Sequence, residues 1–184
     1  MSAPYKSSSS PWQDWPVDRE IVLSRVIDAP RNIVCSAWTD PDQIEQWFGP
    51  DDMVIESKEL DIRPGGVWRF DMVAPDGTRY TNRMVFLRIE APALIEVEHG
   101  SDEDDDPSRF RMLVTFDEQS DGKTVLTLRQ MHPTSERRKW AIGFGAVEYG
   151  GQTLAKLALH VARARHERAN VRVGPAFTYS AHAK

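Results

Sequence analysis

Between Val67 and Val73 the chain alternates, with Trp68, Phe70 and Met72 on one side and smaller or polar residues on the other. A period of two is the signature of a half-buried strand. The same pattern returns in Thr78–Ile89, where Tyr80, Asn82, Met84 and Phe86 share a face, and in Arg109–Phe116, where Phe110, Met112, Val114 and Phe116 do. It returns again in Lys123–Met131, which places Leu126, Leu128 and Gln130 in register. Met53–Ile62 and Leu94–His99 read as two further strands. Pro64-Gly65-Gly66, Pro75-Asp76-Gly77 and Ser120-Asp121-Gly122 supply turns. Sequential strands joined by short turns imply an antiparallel meander.

Ahead of this series, Arg19–Ile27 carries Ile21, Leu23 and Ile27 on one face and Val22 and Val26 on the other. That predicts a strand covered on both faces over part of its length. Asp28-Ala29-Pro30 reads as a helix cap followed by a first-turn proline, opening a helix from Pro30 to about Thr39. Asp40-Pro41 repeats the signal for a short second helix bearing Ile44, Trp47 and Phe48, stopped by Gly49-Pro50. After the strands the period changes. Trp140, Phe144, Val147, Gly151, Leu154, Ala158 and Val161 are spaced alternately by four and three, one continuous helical stripe. Thr134 or Ser135 can cap its start, and Arg163, Arg165 and Arg168 lie near its end, where positive charge suits the helix dipole. Residues 1–18 form a Ser- and Pro-rich flexible lead, 19–165 the domain, and 166–184 a C-terminal tail.

These elements predict an α+β chain in which a curved antiparallel sheet wraps around one long C-terminal helix, with two short helices after the first strand closing one end. A curved sheet gripping a single helix leaves an elongated space between them. Trp47 and Phe48 would cap the core at the end the short helices close.

The residues that carry these elements also carry a resemblance. The run DAPRNIVCSAWTDPDQIEQWFGP, followed by PGGVWRFDMVAPDGTRY and a C-terminal helix, resembles the START-like (SRPBCC) superfamily. More narrowly it resembles the branch named for the activator of heat-shock-protein ATPase homologue, the AHSA-type domain. The resemblance spans about Arg19 to Val161 and implies the helix-grip fold, with about six or seven strands. It leaves function open, because such domains bind lipids, polyketides and other hydrophobic molecules and a few are enzymes. Members of the branch often carry Gly-Trp in the last helix, where this chain has Gly150-Gly151, a change expected to enlarge the space beneath the helix or loosen it.

Composition narrows the partners. A net charge of -5 argues against general nucleic-acid binding, which wants a basic surface. No apolar run is long enough to span a membrane. Cys35 stands alone, so no intrachain disulfide forms, and with no secretory signal in the first residues a cytoplasmic location is expected. Gly143-Phe144-Gly145 begins a dinucleotide-type pattern but reaches Glu148 at the last position and follows no strand. His166-Glu167 begins a zinc-protease pattern that ends in Asn170. No metal or cofactor is expected. The acidic run Asp102–Asp106 lacks the ligand spacing of a calcium loop and reads as solvated, with like charges favouring disorder.

What remains is an apolar lining for a small hydrophobic ligand, lipid- or polyketide-like. The candidates are Trp68, Phe70, Met72, Tyr80, Met84, Phe86, Phe110, Met112, Leu126, Leu128, Trp140 and Phe144, with Asn82 and Gln130 as in-register polar groups that orient a ligand or pair with each other. Aromatic and Met side chains together suit a wide, adaptable pocket. His132 and Glu148 are the weak catalytic candidates: a hydrophobic pocket would lower the histidine pKa or raise the carboxyl pKa and give an acid–base pair for a cyclisation or dehydration. Two other readings stand beside ligand binding. One is a chaperone contact, implied by the resemblance alone. The other is a homodimer with Trp12 and Trp15 in its interface.

Overall fold

A computed structural model describes residues 16–172, with side chains described through residue 167. Trp12 and Trp15 lie outside the described residues. A 3-10 turn at Val17–Arg19 leads into β1 (Glu20–Ile27), α1 (Arg31–Thr39) and α2 (Pro41–Trp47). Six strands follow: β2 (Val54–Leu60), β3 (Val67–Val73), β4 (Arg79–Glu90), β5 (Leu94–Ser101), β6 (Phe110–Glu118) and β7 (Thr124–Met131). Two helices, α3 (Ser135–Phe144) and α4 (Ala146–Arg172), complete the described residues. All strands join one antiparallel sheet in the order β1-β7-β6-β5-β4-β3-β2. This is the sheet-and-helix arrangement the pattern predicts, and the helix-grip fold the resemblance implies.

The polar signals explain several boundaries. Asp40 accepts a hydrogen bond from the Asp42 backbone N–H at 3.0 Å, a helix cap with Pro41 behind it. Thr134 caps α3 by accepting from the Arg137 N–H at 3.2 Å. Gly49, at φ +90, lets the chain leave α2 where a side chain would be strained.

Five expectations are corrected. Asp28 does not cap α1, whose N-cap is Pro30 with no side-chain bond. Strand β1 is covered on one face only, since Val22 and Val26 are exposed at the sheet edge. The stripe from Trp140 to Val161 is not one helix: Gly145 takes a left-handed conformation (φ +102) and separates α3 from α4. The spacing survives the break, so periodicity alone could not reveal it. Next, the acidic loop is solvent-exposed at Glu103, Asp104 and Asp105, as expected, but its charges are paired and hydrogen-bonded where like-charge repulsion had suggested disorder. It folds back over the outer face of the sheet, where Asp104 pairs with Arg83 at 2.8 Å, Asp102 pairs with Arg69, and the Glu103 carbonyl accepts from Arg83 at 2.7 Å. Asp106 accepts from the backbone N–H groups of Ser101 and Ser108 at 2.7 and 2.8 Å. Cations projecting from β3 and β4 thus neutralise charges that would otherwise repel. Helix α4 continues through 166–172, residues assigned above to the tail.

Candidate functional site

The inward face of the sheet is not filled evenly. At one end, α1 and α2 deliver Trp38, Trp47 and Phe48 onto Trp68 and Phe70 of β3. Trp38–Trp47 and Phe48–Trp68 meet edge to face with centroids 4.8 and 5.1 Å apart, while Trp68 stacks on Phe70 at 4.1 Å. All five rings are buried. The indoles of Trp47 and Trp68 keep hydrogen-bond partners, the Ala37 carbonyl at 2.9 Å and Ser57 Oγ at 2.7 Å, as buried donors require. Trp38 Nε1 has none among the described residues, and no structural reason for this is apparent. Leu154, Leu157 and Val161 of α4 close this end. Links from α4 to α2 and its following loop fix the helix there: Lys156 Nζ to the Pro50 carbonyl at 3.1 Å, Gln152 to the Asp51 N–H at 3.1 Å, and His160 to Gln43 at 3.1 Å.

At the other end the sheet has no such cover. Gly145 turns the chain between α3 and α4, and a cavity of about 540 Å³ lies between β3–β7 and the two helices. Its walls are mostly apolar: Met72, Tyr80, Phe110, Met112 and Leu128 from the sheet, Trp140 and Phe144 from α3, Tyr149 from α4. Trp140 and Phe144 are each 58 % exposed and stack on one another at 5.2 Å. Large rings with no protein opposite them mark a mouth rather than a core.

Polar groups are few and placed. Asn82 donates from its amide to the Tyr80 carbonyl at 2.7 Å, which turns its oxygen toward His99 Nε2, 3.1 Å away. His99 then carries its proton on Nε2 and donates it to Asn82. Desolvation pushes the His99 pKa down to about 4, against the opposing pull of Asp106, so the ring is neutral at physiological pH. Phe110 sits between two imidazoles, 5.1 Å from His132 and 5.2 Å from His99. His132 is buried and its Nε2 has no partner among the described residues; burial, and secondarily the charge of Arg138, lowers its pKa. Gln130 also reaches the cavity.

The structure divides the predicted residues. Met72, Tyr80, Asn82, Phe110, Met112, Leu128, Gln130, Trp140 and Phe144 line the cavity, as does His132. Trp68, Phe70, Met84, Phe86 and Leu126 do not: they share the inward face but lie where α1, α2 and α4 fill the space, and each is at most 1 % exposed. Asn82 and Gln130 do not pair with each other; Asn82 is taken by Tyr80 and His99. Glu148 is exposed on α4 and is not on the cavity wall, so it forms no acid–base pair with His132. Position 151 is also outside the cavity. Gly151 is exposed with open space around it, whereas Gly150 lines the wall and packs so close to Leu23 that a Cβ would fall 2.3 Å from its Cδ1. A Trp at 151 would therefore not have filled the cavity. His99, Arg137 and Tyr149 were not foreseen. The alternation of β5 through His99 was the one available signal for the histidine.

Among the described residues no cluster of three or more His, Cys, Asp or Glu could hold a metal ion, and no helix is long and apolar enough to cross a membrane. The fold has solved counterparts. A Nitrosomonas europaea protein is 24% identical, with 84% of this chain and 99% of that chain covered and a TM-score of 0.72. An Arthrobacter aurescens protein is 20% identical, with 90% and 94% covered and a TM-score of 0.73. The AHSA1 protein of Silicibacter pomeroyi is 20% identical, with 78% and 97% covered and a TM-score of 0.64. At such identities these likenesses carry the fold alone. No curated protein sequence matches. The family model for Activator of Hsp90 ATPase homolog 1-like protein matches residues 28–162. The chain belongs to that family.

Proposed function

We propose that this protein binds a small, largely hydrophobic molecule in the cavity beneath α3 and the start of α4. The observation that carries the reading is the contrast within one sheet face: apolar side chains packed solid at one end and left facing about 540 Å³ of space at the other. A volume of that size, mostly apolar with a few fixed polar groups, is what ligand pockets of globular domains present. The neutral His99–Asn82 pair offers directional hydrogen bonding without burying a charge. Binding would be driven by removing the Trp140, Phe144 and Tyr149 faces and the ligand's own apolar surface from water, at about 25 cal/mol per Å² before the costs of association.

Native mass spectrometry of freshly purified protein, with a thermal-shift series of apolar probes, tests this. Retained small molecules, or probe-dependent rises in melting temperature that disappear in Leu128→Trp, are expected. A ligand-free protein whose melting temperature no probe moves would refute it.

A further inference from the structure

Helix α3 turns one face to the cavity, formed by Arg137, Trp140, Ala141 and Phe144 at spacings of three, four and seven from the first. Arg137 opens this stripe and is half-buried beside the exposed ring of Trp140. Its backbone N–H is used by the Thr134 cap, but among the described residues its guanidinium has no acceptor and no carboxylate partner. Asp106 is the other charged residue of the wall, apart from the histidines. It makes no ion pair with Arg137: its oxygens accept from the backbone of Ser101 and Ser108, and the cation that acts on it is Arg109. The wall therefore carries one unspent positive charge, set at one end of an apolar stripe.

We infer that the ligand is an amphipathic carboxylic acid, its carboxylate paired with Arg137 and its apolar body running beneath Trp140 and Phe144 toward Met112. This rests on the ligand-binding reading above and specifies it. A planar guanidinium matches a carboxylate through two parallel N–H···O bonds. One cation balances a monoanion, whereas a phosphate monoester would leave charge uncompensated beside apolar walls. The buried body of the acid can be an alkyl chain or fused aromatic rings; the carboxylate is common to both.

The test is a calorimetric titration of the full chain with two matched pairs: dodecanoate against its methyl ester, and naphthoate against its amide. Wild-type protein is expected to bind at least one acid tighter than its neutral partner by about tenfold or more, the range a charge-assisted hydrogen bond supplies. Raising the salt concentration should weaken the acid and leave the neutral compound unchanged. Arg137→Gln should erase the preference with neutral-probe affinity intact, and Arg137→Lys should restore part of it. The pair showing the preference identifies the body as alkyl or aromatic. Equal binding of acid and neutral partner, or an equal loss of both in Arg137→Gln, would overturn the head-group assignment while leaving the cavity's role standing. No binding of any probe would overturn both.

Discussion

The two ends of this protein's interior are built from the same sheet face and treat it in opposite ways. At the α1–α2 end, Trp38, Trp47, Phe48, Trp68 and Phe70 form a chain of edge-to-face and stacked contacts, all buried, with only Phe48 also reaching the cavity wall. At the α3 end, Phe110, Met112 and Leu128 continue the same alternation but look into a cavity. The strands do not differ in character between the two ends. What differs is the cover. Links from Gln43, the Asp51 backbone and the Pro50 carbonyl to side chains of α4 hold that helix against the packed end, whereas α3 is joined to the body through its own start, by Arg138 to the Glu20 carbonyl and by Arg19 to the Pro133 carbonyl. A sheet of uniform pattern thus becomes core or pocket according to the helix that lies over it.

The largest expected effect measures this contrast directly. Trp68→Ala removes a fully buried ring from the packed end and should destabilise the protein by about 3–5 kcal/mol in denaturant unfolding. Phe110→Ala enlarges a space that already exists and should lose only about 1–2 kcal/mol. Equal losses would mean that the two ends are packed alike.

Next in size is a pH effect at the border between the ends, where His99 faces Phe70 at 6.0 Å on one side and Phe110 at 5.2 Å on the other. Its pKa is about 4 in the folded protein, below the ordinary 6.5. As pH falls below 6.5 the unfolded chain takes up the proton first. The stability tied to this ring is therefore complete above pH 6.5 and is lost as pH falls toward 4, by about 2–3 kcal/mol. Burial lowers the pKa of His132 and His160 as well, which acts with the same sign. Melting temperatures from pH 7.5 to 4 should show the decline, and His99→Gln should make it shallower. An unchanged slope in the variant would remove His99 from this role.

The smallest effect concerns the break that creates the open end. Gly145 has φ +102, and a Cβ there would lie 3.0 Å from the Tyr149 ring. Gly145→Ala should cost about 1–2 kcal/mol. A gain in stability on thermal melting would show that α3 and α4 prefer to join as one helix.

Much of this was legible from residue order. Alternation placed the strands, Asp40 announced one cap and the Thr134-Ser135 pair another, which Thr134 makes, and the short turns required a meander. Nine of the fourteen residues proposed as ligand-binding line the cavity: Met72, Tyr80, Asn82, Phe110, Met112, Leu128, Gln130, Trp140 and Phe144. The others failed for a common reason. A period of two says which side chains point inward, not what stands opposite, so Trp68 and Met112 read alike until the helices are laid across them. Gly145 escaped notice because apolar spacing continues in phase on both sides of it. Nothing in the sequence set Arg137 apart, and the Asp102–Asp106 charges read as mutually repelling, because the partner each has or lacks comes from distant chain.

Methionines offer the most direct measurement, since they are distributed between the two ends. Met53, Met72 and Met112 line the cavity, whereas Met84 is buried in the packed end. In methyl-labelled protein titrated with an apolar probe such as dodecanol, the account predicts saturable NMR shifts at the methyl groups of Met53, Met72 and Met112, with Met84 far less affected. Shifts confined to Met84, or none at Met72 and Met112 while the probe binds, would place the guest elsewhere and contradict the account.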